Sequence, residues 1–151
     1  MGHRFTGKVA VVTGGVSGIG VETVRLLVAE GARVVVGDLN EAAGQALVAE
    51  LGAEHVDFMR CDVSCSADVL ALVQLAAARF GGLDILFNNA GIGNALTTTP
   101  EQSEESWLHV IAVDLHSVFY GCKHAIPLMR QRGGGVIVNT ASISGLAGDY
   151  G

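Results

Sequence analysis

Five short apolar runs, Lys8–Thr13, Arg33–Gly37, Val56–Arg60, Asp84–Asn88 and Gly135–Thr140, recur along the chain with stretches of helical period between them. Short apolar runs punctuated by Gly, Asp and Asn suit strands buried on both faces of a parallel sheet. Between the first two, Gly18–Glu30 carries Ile19, Val21, Val24, Leu26, Leu27 and Val28 at helical spacing. Asn40 can cap a helix over Asn40–Leu51, with Glu41 in the first turn, where the helix dipole favours an acid. Ser64 or Ser66 can cap Ala67–Phe80, and Gly81-Gly82 ends that segment. The longest helical segment is expected from about Pro100 to Arg132, with Trp107, Ile111, Leu115, Val118, Cys122, Ile126 and Met129 on one face. The resulting order, βαβαβαβαβ, requires parallel strands joined by right-handed crossovers, and hence a doubly wound α/β sheet.

Length and composition narrow the possibilities further. A chain of 151 residues is one domain's worth, and no internal repeat, low-complexity tract or linker divides it. A net charge of −6 argues against a nucleic-acid or anionic-membrane surface. Half the residues are hydrophobic and the mean hydropathy is +0.45, yet no uninterrupted apolar stretch is long enough to span a bilayer. Met1 to Lys8 contains no apolar core of a signal peptide. Gly2 followed by Thr6 fits the loose myristoylation pattern, but the next residues run straight into a strand, so the match is read as chance. Cys61, Cys65 and Cys122 make an odd number at spacings unsuited to disulfides or zinc, which points to reduced thiols in a cytoplasmic protein. His109, His116 and His124 lie seven and eight residues apart, two helical turns each, too far to share a metal ion within one helix. No metal site is expected.

The turn between the first strand and first helix reads Thr13-Gly14-Gly15-Val16-Ser17-Gly18-Ile19-Gly20. Glycines there let the backbone approach a pyrophosphate, while the following helix directs its free N–H groups at the anion. Asp38 follows about twenty residues later, where a carboxylate can accept hydrogen bonds from an adenosine ribose. Together these point to a Rossmann-like dinucleotide site.

The TGxxxGIG form of this loop resembles that of the short-chain dehydrogenase/reductase family, and the resemblance extends along the chain. Phe5-Thr6-Gly7-Lys8 is similar to the family's lead-in, Cys61-Asp62-Val63 to its adenine-contacting turn, and Asn88-Asn89-Ala90-Gly91 to its NNAG motif. Asn139-Thr140-Ala141-Ser142-Ile143-Ser144-Gly145 is similar to its serine strand. The resemblance implies that Gly14, Ser17, Gly18, Ile19 and Gly20 hold the pyrophosphate and that Asp62 and Val63 flank adenine. It implies that Asn89, Ala90 and Gly91 border the adenosine ribose and brace the sheet. Ser142 then polarises the carbonyl of a small alcohol or ketone substrate, with Ser144 as a nearby decoy. Asp38 repels a 2′-phosphate, and Ser17 and Leu39 stand where NADP-preferring members often carry Arg, so NAD is the expected cofactor. One position departs from the pattern: Asp114 replaces the family's Asn, whose proton-relay water site is therefore in question.

The family's Tyr-x-x-x-Lys pair belongs to the helix after the serine strand. Tyr150 stands too close to Ser142 to be that tyrosine and is read as a loop residue. The expectation is thus a sheet incomplete at its C-terminal end, 1–151 forming a single cofactor-binding domain that is inactive alone. A non-catalytic nucleotide-binding or interaction module is the alternative. The complete enzyme is expected to be a homo-oligomer. In a lone copy, the Gly135–Thr140 strand and the stripe from Trp107 to Cys122 are expected to face water.

Overall fold

The computed structural model describes residues 3–93 and 98–145, without the side chain of Ser144; Gly2 and Tyr150 lie outside the described residues. Five parallel strands, β1 (Val9–Thr13), β2 (Arg33–Asp38), β3 (Val56–Arg60), β4 (Ile85–Asn88) and β5 (Val136–Asn139), form one sheet in the order β3-β2-β1-β4-β5. The expected strands are all present. Alternation along β1 explains the two layers: Val9 and Val11 enter one apolar cluster, Ala10 and Val12 the other. Helices α1 (Gly18–Ala29) and α2 (Glu41–Leu51) cover the Ala10 face, and α3 (Ser66–Phe80) and α5 (Ser117–Gln131) the Val9 face. The chain winds outward from β1 to β3, then crosses back to β4 beside β1. That reversal opens a crevice at the carboxyl ends of β1 and β4.

Two local expectations require correction. Asn40 caps α2 as expected, its side chain accepting from Ala43 N at 3.1 Å. Neither Ser64 nor Ser66 caps α3, whose N-cap position is Cys65, without a side-chain cap bond. Ser64 Oγ instead donates to Asp62 Oδ1 at 2.6 Å, and Ser66 Oγ pairs with His124 Nε2 at 2.9 Å. The two hydroxyls thereby bind the β3–α3 turn and α5 rather than the helix start.

The expected long helix is interrupted. A 3₁₀ turn, Thr99–Glu101, precedes α4 (Glu104–Val110), which Ser103 caps by accepting from Ser106 N at 3.1 Å. A π-helical stretch, Ile111–His116, then joins α4 to α5. From within it onward the buried positions are Val113, Ser117, Gly121, Ala125 and Met129, one every fourth residue and mostly small, because α5 lies close against β4. Met129, expected on the same face as Trp107, belongs to this buried row instead. Trp107, Leu115 and Ile126 face outward. Among the described residues no helix is long and apolar enough to cross a membrane.

Candidate functional site

A cleft of about 550 Å³ occupies the crevice at the strand ends, within the range of small-molecule sites. The β1–α1 loop and the first turn of α1 contribute Gly14, Ser17, Gly18 and Ile19, and the end of β2 with the residue after it contributes Gly37, Asp38 and Leu39. Cys61, Asp62 and Val63 follow β3; Asn89, Ala90, Gly91 and Ile92 follow β4; Thr140 follows β5. His109 and Val113 reach it from α4 and the π-helical stretch.

Two glycines set the shape of the loop. Gly14 has φ +63°, and a Cβ there would stand 2.8 Å from the Ala90 backbone. Gly20 is buried in α1 rather than lining the cleft; a methyl on it would collide with the Gly14 carbonyl. The expected pyrophosphate glycines therefore divide into those facing the cleft and one that lets α1 approach beneath it.

The Asn89 side chain holds this arrangement from the β4 side. Its Nδ2 donates to Thr13 O and Gly14 O, each at 3.1 Å, and its Oδ1 accepts from Thr140 Oγ1 at 3.3 Å. These bonds tie the segment after β4 to the end of β1, the glycine loop and Thr140. Thr13 Oγ1 accepts from the Asn89 and Ala90 amides at 3.0 and 3.2 Å. Asp38, at the tip of β2, accepts from Asn40 N at 3.1 Å and Val16 N at 3.4 Å. These bonds hold the carboxylate between the glycine loop and its own turn. No Lys or Arg is among the described residues lining the cleft.

At the β3 end, Asp62 Oδ1 accepts from Ser64 N at 2.9 Å as well as from the Ser64 hydroxyl. That hydroxyl bond is the main reason the Asp62 carboxyl lies below the ordinary range, with partial burial opposing it and Arg60 and His109 assisting. Burial, reinforced by the charge of Asp68, pushes the Cys61 thiol up to about 12. Cys61 is thus an inert, protonated patch of cleft wall.

Asp114 and Ser142 do not line the cleft. Asp114 Oδ1 accepts from Ile92 N at 2.9 Å, tying the π-helical stretch to the segment after β4. A π-helical turn beside a cleft is a recurrent feature of functional sites. Ser142 is exposed at the carboxyl end of β5, where its carbonyl accepts from Gly145 N at 3.1 Å. The three histidines of the α4–α5 region separate: His109 faces the cleft, His116 packs near Tyr120, and His124 bonds Ser66. Burial, with the Lys123 charge, lowers the His124 pKa. Among the described residues no three His, Cys, Asp or Glu side chains form a potential metal cluster.

Gly37, Cys61, Ile92, His109, Val113 and Thr140 line the cleft without having been expected to. Cys61 and Thr140 lay inside recognised motifs, beside residues already assigned. His109 was weighed only as a metal ligand and Val113 carried no signal; Val113 lies in the π-helical stretch, whose phase the apolar pattern does not reveal.

The donor and shape requirements of a dinucleotide fit this cleft: a glycine loop at a helix N-terminus, a carboxylate at the tip of β2, and a turn after β3 that brings Asp62 and Val63 to the wall. The family model described as short chain dehydrogenase matches residues 8–151. The chain is 48% identical over 143 residues to momilactone A synthase of Oryza sativa subsp. japonica, covering 94% of this chain and 52% of that protein. It is 46% identical over 145 residues to a 3-beta-hydroxysteroid dehydrogenase of Comamonas testosteroni, covering 95% and 56%. Cyclohexanol dehydrogenase of Acinetobacter sp. (strain SE19) is 43% identical over 150 residues, with 98% and 60% covered. A solved structure from Novosphingobium aromaticivorans, assigned as a short-chain dehydrogenase, superposes with a TM-score of 0.88 at 34% identity, covering 96% of this chain and 56% of that one. The chain thus spans between half and two thirds of the length of these relatives.

Proposed function

Because the chain belongs to the short-chain dehydrogenase/reductase family, we propose that residues 1–151 form the cofactor-holding domain of an NAD-dependent oxidoreductase that interconverts a secondary alcohol and a ketone. The observation that carries the cofactor choice is Asp38 at the tip of β2, in a cleft with no Lys or Arg among its described lining residues. A ribose bearing free hydroxyls can donate to that carboxylate; a 2′-phosphate would meet it as a like charge. Leu39 and Ser17 beside it offer no compensating cation. Gly14, Ser17, Gly18 and Ile19 would receive the pyrophosphate, with Gly20 allowing the close approach of α1. Asp62 and Val63 would flank the adenine, and Asn89, Ala90 and Gly91 the adenosine ribose.

When bound, NAD supplies the hydride acceptor or donor. The chain's own contribution is to hold the cofactor at one end of the cleft and to offer the Ser142 hydroxyl, beyond β5, as a hydrogen-bond donor to the substrate oxygen. Asp114, through Ile92 N, would act on that end by positioning backbone. The relatives named for a 3-beta-hydroxysteroid and for cyclohexanol support a secondary alcohol or ketone as the substrate class. A cytoplasmic homo-oligomer remains part of this reading for the whole protein.

Titration of the 151-residue polypeptide with NADH and NADPH, followed by nucleotide fluorescence, tests the cofactor. NADH should bind at least ~10-fold more tightly, a difference of about 1.4 kcal/mol, and Asp38→Ala should narrow the gap. Equal or reversed affinities would remove the assignment. A second reading, a nucleotide-binding module without chemistry, shares this cleft and differs from the first only in lacking turnover. We expect this polypeptide to bind nucleotide without alcohol-dependent NAD reduction; turnover abolished by Ser142→Ala would exclude the non-catalytic reading.

A further inference from the structure

His109 belongs to none of the sequence motifs, yet it lines the cleft together with Asp62, Val63 and Ile92. It sits in the last turn of α4, immediately before the helix widens into the π-helical stretch, and Val113, four residues on, faces the same cleft. Its ring is exposed, so core packing does not account for its position. The ring lies near enough to Asp62 to act electrostatically on that carboxylate. The Asp62 carboxylate is itself engaged by Ser64, which leaves the imidazole as a flat polar group at that end without an assigned task.

Position along the sheet decides what the task can be. Ser142 follows β5 and Asp62 follows β3, at opposite edges of the five-stranded order. Four strand spacings separate those edges, about 19 Å, so a group beside Asp62 is remote from the substrate oxygen. Under the dinucleotide reading, the β3 end is where the nucleobase lies. We propose that His109 forms the wall against which the purine base of the cofactor packs, opposite the Val63 side of the cleft, and so contributes to selection of the adenine end. This inference rests on the proposed dinucleotide function.

Calorimetric titration of the 151-residue chain with ADP-ribose, AMP and inorganic pyrophosphate tests it. His109→Ala should weaken ADP-ribose and AMP alike by about tenfold, as expected for loss of one stacking surface, and leave pyrophosphate unchanged. His109→Phe, which keeps a flat ring, should retain ADP-ribose affinity to within about twofold. His109→Gln should resemble the alanine variant, so the Phe and Gln pair carries the test even if His109→Ala fails to fold. Unchanged ADP-ribose affinity in the alanine or glutamine variant would overturn the assignment to His109. An equal loss for pyrophosphate would do so too, because it would place the effect on the glycine loop rather than the base. Failure of the unmodified chain to bind ADP-ribose would instead overturn the dinucleotide reading, and this inference with it.

Discussion

At the scale of single residues, Thr13 shows how much of the cleft depends on one oxygen. It ends β1, is 4% exposed, and its hydroxyl accepts from the Asn89 and Ala90 amides. Thr13→Val keeps the shape but removes the acceptor from both. An amide left unpaired costs up to about 1–3 kcal/mol when fully buried; these two are half-buried, so we expect urea unfolding to show a loss of about that size for the pair and NADH binding to weaken with it. Thr13→Ser, which restores the oxygen, should recover most of both. Thr13 was legible only as the first letter of a glycine loop. Its tethering role depends on β4 lying beside β1, which local sequence does not state. Asp38 was easier to find, because its distance from the glycine loop is set by one strand–helix–strand unit. Asp114 was found by its place in a family pattern, but its bond to Ile92 N appears only once the π-helical stretch is drawn.

Among elements, the strands were legible because their signal is local: each is a short apolar run bounded by polar or glycine residues. The α4–α5 region was harder to read. Its apolar residues suggested one continuous stripe, whereas Ser103 starts a new helix and the π-helical stretch resets the phase. Small residues form the true packing face, and small residues carry little hydrophobic signal. Gly121 offers a test of that face. In an ordinary exposed helix, Gly→Ala stabilises by about 1 kcal/mol. Here a methyl would collide with Asn88 Oδ1, and Asn88 Nδ2 donates to Asn139 Oδ1 at 2.9 Å, joining β4 to β5. Overpacking of this kind costs about 1–3 kcal/mol, so Gly121→Ala should reverse the usual sign and lower the unfolding midpoint. Hydrogen exchange should locate the loosening at β5.

Viewed whole, the molecule has an apolar exterior on its β5 side. Val136 and Val138 are 58% and 47% exposed on the edge strand, and with Phe5, Leu27, Ile85 and Phe87 they line an open apolar groove. Around the corner, Trp107, Leu115 and Phe119 are each more than half exposed. An edge strand carrying neither Lys nor Pro is a template for pairing, and apolar patches of this kind drive association. The 151-residue polypeptide alone should therefore self-associate, with a mass by light scattering that rises with concentration above that of one chain. The two surfaces can be separated by substitution. Val138→Lys puts a charge on the edge strand and should suppress association if strand pairing dominates; Leu115→Lys should do so if the helix face dominates. Both changes lie outside the cleft lining, so nucleotide binding should persist in each while the mass falls. A concentration-independent monomer that unfolds cooperatively, before either substitution, would show that neither surface is sticky enough to matter.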